Sequence, residues 1–410
     1  MAEKKRKIRV GLIFGGRSGE HDVSLASAQS VMANLDNEKY EVVPIGITQQ
    51  GTWLLGTEPA KLIEARQQVQ YDMEDHVTEK QGDSVEGQGD REGSPLLYTG
   101  MVGAVPRGRL APVVPVTLTG DPNLRRLMPL HGGEQLGENA ALDVIFPVLH
   151  GTYGEDGTLQ GLLEMANVAY VGCGVLGASL GMDKEKMKMV FQSAGLPICE
   201  YVVYRRNEWE RSPEAILDAL EQRISYPNFV KPANLGSSVG INKAHNRIEL
   251  THAINVAAEY DRKIVIEKGL NCRELECAVL GNDEPLASIV GEVIASNEFY
   301  DYDAKYIDNK SQTVIPADLP QATAEEVRRQ AVKAFLALDL SGLARVDFFL
   351  ERETGQVYIN EVNTMPGFTQ ISMYPKLWEA SGLSYQELLD RLIELGIERY
   401  DDKQRNRTSR

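Results

Sequence analysis

The segment ARVDFFLERETGQVYINEVNTMPG, Ala344 to Gly367, constrains the fold more tightly than any other part of the chain. Two apolar stretches flank the polar run Arg352 to Gln356, and Gly355 supplies a turn, so the segment reads as a β-hairpin. A turn centred on Thr354 sets Asp347 opposite Glu361. The two-residue strand period puts Asn363 on the same face as Glu361. Three oxygen-bearing side chains thereby converge on one patch, backed by Phe349 and Ile359. Hard divalent ions that also bind phosphate oxygens need such a donor set. Two carboxylates packed there without a cation would repel each other and be costly to desolvate. An ordinary hairpin would carry β-branched residues or serine at these positions, so the patch is expected to bind metal.

The rest of the chain limits what such a patch can serve. With 410 residues there is material for two or three domains, and the 42% hydrophobic and 25% charged fractions are ordinary for a globular protein. The formal net charge of −16 argues against a nucleic-acid binder, though an acidic protein can still hold a basic pocket for an anionic cofactor. The basic start MAEKKRKIRV runs into a short apolar stretch, Val10 to Phe14, without the longer apolar region of a secretory signal. No run of about 18 apolar residues is present, so no membrane span is expected. Cys173, Cys199, Cys272 and Cys277 lack paired spacing and read as free, partly buried thiols. A cytoplasmic location is the expectation.

Ile8 to Phe14 reads as a strand, Ser24 to Leu35 as a helix and Tyr40 to Ile47 as a strand, which makes a β-α-β unit and a parallel sheet. Val144 to Leu149 and Thr158 to Met165 read as another strand and helix, with short strands at Leu110 to Leu118 and Asn123 to Leu130. Residues Val69 to Pro95 are acidic, glycine-loosened and poor in apolar side chains, and read as a mobile surface insertion or a partner-binding tail. Beyond Met182, helices are expected at Asp183 to Ala194, Ser212 to Arg223, Ala322 to Leu338 and Tyr385 to Leu395. Ile264 to Lys268 and Glu274 to Leu280 read as a strand pair around a polar turn.

Five further segments carry chemistry. GGRSGEHDVS, Gly15 to Ser24, delivers Glu20 and His21 to a helix start at the end of a parallel strand, where such sheets bind ligands. It does not fit a dinucleotide fingerprint, and Glu20 alone could be a carboxylate favoured by the helix dipole. LHGTYGEDGTLQG, Leu149 to Gly161, places His150 at a strand end before a glycine-rich loop; a structural histidine is the equal alternative. FVKPANLGSSVGI, Phe229 to Ile241, ends a strand in Lys231 and offers backbone N–H groups with Ser237 and Ser238 to a polyphosphate, or else is a glycine-rich hairpin turn. IVIEKGLNCRELE, Ile264 to Glu276, could meet an adenine edge through its backbone and ribose hydroxyls through Glu274, a weak signal by composition. FYDYDAKYIDNKSQ, from Phe299 to Gln312, holds Lys305 and Tyr306 and reads as a lid or as a plain surface loop.

With these motifs in this order, the chain resembles the ATP-grasp superfamily and, within it, the D-alanine–D-alanine ligase family, over nearly its whole length except the acidic insertion and the last ten or so residues. The resemblance implies an α/β chain with α+β lobes: a three-domain ATP-grasp fold with an N-terminal parallel-sheet domain. That domain would span 1–172 with an insertion at about 57–142, the central lobe 173–271, the C-terminal metal lobe 272–400 and a flexible tail 401–410. It further implies that Lys184 and Lys231 bind the α- and β-phosphates of ATP and that the loop of Ser237 and Ser238 closes on the γ-phosphate. Glu267, Lys268 and Leu270 would line the adenine site, Glu274 would take the ribose, and Phe299 and Lys305 would complete the nucleotide site. Asp347, Glu361 and Asn363 match metal ligands for two Mg²⁺, with Mn²⁺ as a substitute. Arg345 and the Gly367 amide would hold an oxyanion. Glu20 would bind the first D-alanine's ammonium group, with His150 nearby, and Ser372 and Met373 would meet the second substrate's carboxylate. Met373 departs from the leucine common in the family. Ser237, Tyr306 and Glu20 match a lid-closing trio, and Tyr306 favours a dipeptide over an ester-linked D-alanyl-D-lactate. A homodimer through the N-terminal domain is implied, with small-molecule substrates and no nucleic acid. Another ATP-grasp ligase is one alternative, opposed by Glu20, Ser237 and Tyr306 together; a catalytically dead nucleotide-binding regulator is the other, opposed by the intact Lys231, Arg345, Asp347, Glu361 and Asn363.

Overall fold

The structure, a computed structural model, describes residues 6–56, 61, 114–124, 126–130, 141–236, 239–294 and 312–407. The N-terminal part is a seven-stranded sheet. It runs β1 (Ile8–Gly15), α1 (His21–Asn34), β2 (Tyr40–Ile47), β3 (Trp53–Leu55), β4 (Val114–Leu118), β5 (Leu127–Pro129), β6 (Val144–Val148), α2 (Thr158–Met165) and β7 (Ala169–Tyr170). The strand order is β5-β4-β3-β2-β1-β6-β7. The strands β2, β1, β6 and β7 are parallel and β3 to β5 add antiparallel. The opening β-α-β unit is therefore as expected, and both short strands of the 110–130 region join this sheet. Most of the acidic segment Val69 to Pro95 and its flanks lies outside the described residues.

Helices α3 (Val175–Met182) and α4 (Lys184–Ser193) lead to the central lobe, where the Asp183 side chain caps α4 by accepting from the Lys186 amide. That lobe contains β8 (Tyr201–Arg205), α5 (Arg206–Arg211), α6 (Pro213–Arg223), β9 (Asn228–Pro232), β10 (Asn242–Ala244), α7 (Arg247–Tyr260) and β11 (Lys263–Lys268). Its antiparallel sheet, ordered β10-β9-β11-β8, packs Val230, Ile264 and Ile266 on helices α6 and α7 around Trp209. The C-terminal lobe follows with β12 (Cys272–Gly281), β13 (Leu286–Ile294), β14 (Gln312–Val314), α8 (Gln321–Ala337), β15 (Gly342–Glu351), β16 (Val357–Asn363), α9 (Met373–Ala380) and α10 (Tyr385–Gln404). Its sheet runs β14-β13-β12-β15-β16.

Two expectations fail here. The strands β11 and β12 do not pair; they belong to different sheets, and the polar turn between them crosses from one lobe to the other. A turn of three residues, Gly269 to Asn271, looks like a hairpin loop in sequence, but the Gly269 amide donates to the carbonyl of Pro227 and the chain leaves the sheet there. Helix α10 also continues to Gln404, into the stretch taken as a tail. After Leu395 only Ile397 and Tyr400 still pack on the core, while Arg399 and Lys403 both reach Glu164 on α2, so ion pairs carry the helix past its last apolar contact.

The N-terminal sheet and the C-terminal helices share one core. Phe14 and Phe146 join Phe368, Tyr374, Leu388 and Leu392 in a single buried cluster, with the rings of Phe146 and Phe368 edge-on at 5.7 Å. This shared packing places the glycine loops of the N-terminal sheet against the end of the 344–367 hairpin.

Candidate active site

The hairpin register is as expected at its inner end: Asp347 pairs with Glu361 and Arg345 with Asn363. A bulge follows, so Phe348 pairs with Ile359 and Asn360 is the extra residue. Beyond it Phe349 lines the groove beside Asp347, while Ile359 points into the opposite core, so only Ile359 backs the patch. The patch is also one strand wider than expected. On β12, Glu276 pairs with Asp347, giving a row of three carboxylates, Glu276, Asp347 and Glu361, across adjacent strands.

Protein cations hold this row together. The Arg345 guanidinium grips Asp347 with two bonds of 2.7 Å and lies 3.0 Å from Glu276. Burial works against its charge, but Asp347 and Glu276 raise its pKa well above the usual arginine value. Asn363 donates to Asp347 at 2.9 Å, and Lys184 stands 3.4 Å from Glu361. Among the described residues, no three His, Cys, Asp or Glu side chains are gathered as a ready cage. The donor set still fits a divalent ion: hard oxygens in register, whose charge Arg345 and Lys184 now balance.

A cleft of ≈ 430 Å³ opens between the central and C-terminal sheets, beside this row. Lys231, Glu267, Lys268, Leu270 and Glu274, the residues placed at the nucleotide groove by the resemblance, line it together with Phe349. The Glu267 side chain is engaged with protein. It is only 2% exposed, 2.8 Å from Lys231 and 3.0 Å from Lys188. Burial would raise its pKa, yet the two ammonium groups outweigh that and hold it at about 2. Its side chain thus orients Lys231 at the edge of the cleft that both residues line. Asn360, displaced by the bulge, accepts a second bond from Lys231 at 3.3 Å. Lys184 is tied to the glycine-serine loop through the carbonyl of Leu235, at 3.0 Å.

At the other end of the site, Glu20 is buried against two glycines. An added Cβ at Gly151 would lie 2.5 Å from a Glu20 carboxylate oxygen, and one at Gly236 2.7 Å. A side chain at either position would push the carboxylate from this seat, and Gly151 also has a positive φ of 73°. Ser18 fixes this loop, accepting from the Glu20 amide and donating to the His150 carbonyl. His150 has both ring nitrogens engaged: Nδ1 with the Met365 carbonyl at 2.9 Å and Nε2 with Ser27 Oγ at 3.2 Å. Burial lowers its pKa against the pull of Glu20, so the ring is neutral. His150 is therefore near the proposed first substrate but its ring bonds to protein. Glu155, which the sequence reading passed over, accepts the amides of Gly151 and Met365. Burial and the neighbouring Glu20 push it up to about 8.

Gly367 leads into a turn closed by Ser372, whose Oγ accepts from the Thr369 amide and would meet a Cβ at Gly367 at 2.8 Å. Ser372 also sits at the N-terminal boundary of α9, its hydroxyl turned to Thr369 and not to the helix amides. The Met373 side chain is buried against Gly291, so this residue can offer a ligand only its amide in the first turn of α9. Ser237, Ser238, Phe299, Lys305 and Tyr306 lie outside the described residues. Of the residues missed, Glu276 was signalled by its even spacing from Glu274 on an apolar strand; Lys188 and Asn360 had no comparable signal.

Comparison with known proteins agrees with this geometry. Residues 9–173 match the family described as D-ala D-ala ligase N-terminus, and residues 190–394 the family described as D-ala D-ala ligase C-terminus. The D-alanine--D-alanine ligase of Acetivibrio thermocellus is 48% identical over 402 residues, covering 98% of each chain. That of Ruminiclostridium cellulolyticum is 48% identical over 409 residues, covering 98% of this chain and 99% of its own. Among solved structures, the D-alanine-D-alanine ligase from Coxiella burnetii has a TM-score of 0.75 and 32% identity, covering 97% of this chain and 96% of its own. The VanG D-Ala:D-Ser ligase from Enterococcus faecalis has a TM-score of 0.75 and 33% identity, covering 95% of this chain and all of its own. Two family matches that together span the sheet, the cleft and the hairpin, with relatives aligned end to end, place this chain in the D-alanine–D-alanine ligase family.

Proposed function

We propose that this chain joins two D-alanine molecules into D-alanyl-D-alanine at the expense of ATP, for peptidoglycan precursor synthesis. The observation that carries this reading is the juxtaposition of three parts. The Lys231–Glu267 pair and the carboxylate row with Arg345 line one cleft, and Glu361 of that row shares a smaller pocket with Gly236, against which the buried Glu20 carboxylate packs. A triphosphate in the groove would point its γ-phosphate at the row, and an amino acid held by its ammonium at Glu20 would present its carboxylate there.

The first D-alanine carboxylate attacks the γ-phosphorus; the new O–P bond forms as the bond to the β-γ bridging oxygen breaks, and ADP leaves. Lys231 and Lys184 neutralise phosphate oxygens during transfer. Two Mg²⁺ ions, held by Asp347, Glu361 and Asn363, would supply further neutralisation of the transferring phosphoryl group when bound. The amine of the second D-alanine then attacks the acyl carbon. Arg345 and the Gly367 amide hold the tetrahedral oxyanion until phosphate leaves with the electrons of the C–O bond. Ser372 and the first-turn amides of α9 are suited to the second carboxylate. Tyr306 and Ser237 would close over Glu20 as a lid and keep water from the acyl phosphate.

The likeness to a D-Ala:D-Ser ligase raises D-serine as a rival second substrate. Relatives at 48% identity over nearly the whole chain favour D-alanine. Phosphate release with Mg²⁺-ATP tests both, using D-alanine, L-alanine, D-alanine with D-serine, D-alanine with D-lactate, and no amino acid. Release with D-alanine alone, lost in Glu361→Ala, is the expected result; equal release with L-alanine overturns the substrate. No described helix is long and apolar enough to cross a membrane, in keeping with a cytoplasmic enzyme. The homodimer rests on the family resemblance, and light scattering at the elution peak decides it.

A further inference from the structure

The backbone from Thr364 to Phe368, which carries the Gly367 amide, hangs from the N-terminal domain at three points and from helix α10 at a fourth. The Met365 amide donates to Glu155 at 2.9 Å, and the Met365 carbonyl meets His150 Nδ1 at 2.9 Å. The Phe368 amide donates to Ser27 Oγ at 3.2 Å, and the Phe368 carbonyl accepts from Tyr385. Ser27 in turn meets His150 Nε2 at 3.2 Å. The relay has a consistent direction: Phe368 N–H to Ser27, Ser27 O–H to His150, and His150 N–H to the Met365 carbonyl. Glu155 closes the ring from the other side. Its second oxygen accepts the Gly151 amide at 2.7 Å, and Gly151 is the residue against which Glu20 packs.

One carboxylate therefore ties the loop that seats Glu20 to the turn that presents Gly367. None of the roles assigned so far needs this bond. A half-buried carboxyl group crowded by Glu20 is a costly way to fill space, and Glu155 spends both oxygens on amides from two domains. The chain around it is built for the purpose: Tyr153 sits at φ 66°, an uncommon conformation for a bulky residue, and Gly151 at φ 73°. These bends turn the 151–155 loop back so that its carboxylate faces its own amide and the Met365 amide together.

We propose that Glu155 is a positioning residue of the ligase, clamping the 150–155 loop to the 364–368 turn so that the ammonium site at Glu20 and the oxyanion donor at Gly367 keep one separation. This rests on the reading of Glu20 and Gly367 given above. The step it protects most is the second, where the acyl carbon must lie under both groups; ATP binding depends on the distant groove.

The test compares Glu155→Ala, Glu155→Gln and Ser27→Ala with the unaltered enzyme. Three readouts are taken: dipeptide formed per ADP, the KM values for ATP and D-alanine, and hydrogen exchange of peptides covering 364–369. Glu155→Ala is expected to leave the KM for ATP within about two-fold and to lower the rate of dipeptide formation by roughly 10²-fold, the scale of a misplacement near 1 Å. Dipeptide per ADP should fall below the unaltered enzyme's value as acyl phosphate is lost to water. Glu155→Gln keeps one accepting oxygen and should fall between, and Ser27→Ala should loosen the Phe368 amide in the same direction. Faster exchange confined to 364–369 and 150–152 is expected in Glu155→Ala. Unchanged coupling and rate in both Glu155 variants would overturn the clamp, as would a loss that strikes the ATP KM and all peptides alike. If Glu155→Ala does not fold, Glu155→Gln and Ser27→Ala decide. Hydrogen exchange needs no substrate, so a chain that makes no dipeptide would sink the ligase reading while the clamp is still read from the exchange at 364–369.

Discussion

Replacing Glu267 by glutamine should destabilise the central lobe by an amount that can be worked from the site. Glutamine is close to the shape of a protonated glutamate, so the substitution resembles permanent protonation of a carboxyl held between Lys188 and Lys231. The folded group titrates at about 2 against an ordinary 4.5, a gap worth about 3 kcal/mol. That agrees with the lower end of the cost of breaking a buried ion pair, about 3–5 kcal/mol. Because the folded pKa is depressed, the contribution is fully present above about 4.5 and lost as pH falls toward 2. The gap between variant and parent should therefore hold constant from pH 7 to about pH 5 and narrow below that. Trp209 lies in the core of the same lobe, so urea unfolding followed by its emission, with Trp53 and Trp378 changed to phenylalanine, reports the right unit. With a slope near 1–3 kcal/mol/M the midpoint should drop by about 1–3 M at pH 7. An unchanged midpoint, or a gap that closes between pH 7 and 5, would refute the assignment of Glu267 as the ionised centre of this triad.

Three more outcomes follow from local geometry. Gly396→Ala would drive a Cβ to 2.7 Å from the Tyr170 carbonyl oxygen, so it should cost about 1–3 kcal/mol; a urea midpoint equal to that of the parent would contradict the packing of α10 on β7. Burial pushes the thiols of Cys173, Cys272 and Cys277 up to about 12 and that of Cys199 to about 11, so the folded protein should resist a thiol reagent at pH 8. One equivalent reacting within seconds would show that a thiol is activated. Lys403→Ala removes the Lys403–Glu164 contact, and because Lys403 is half exposed the cost should stay under about 1 kcal/mol; a loss of 3 kcal/mol or more would mean that the α10 tail is a main anchor of the N-terminal sheet.

The elements that a periodic pattern defines were legible. The opening β-α-β unit, helix α2 and the inner register of the hairpin came from alternation and glycine punctuation, which are local properties. Pairings between distant strands were not, because the code for them is burial by partners elsewhere in the chain. The β11–β12 turn shows this: its residues suit a hairpin, but Gly269 is caught by Pro227, a residue 42 positions earlier, and the chain is diverted to another sheet. The last turns of α10 were missed for the related reason that ion pairs to Glu164, not apolar spacing, hold them.

The site was legible as a set of chemical groups and illegible as a set of attachments. Asp347, Glu361 and Asn363 could be placed together because a hairpin fixes its own register. Glu276 could not, because it joins the row only through the pairing of β12 with β15, which sets it beside Asp347, 71 positions further along the chain. Asn360 was hidden by the bulge, which turns it out of the alternation and toward Lys231. Glu155 and Glu267 share a subtler feature. Each is a carboxylate whose work is to hold another residue, Glu267 a lysine and Glu155 two amides. Sequence motifs advertise residue types that meet a ligand, since ligand chemistry dictates them. A residue that meets only protein is dictated by whatever it must hold, and that becomes visible only once the two segments are seen side by side.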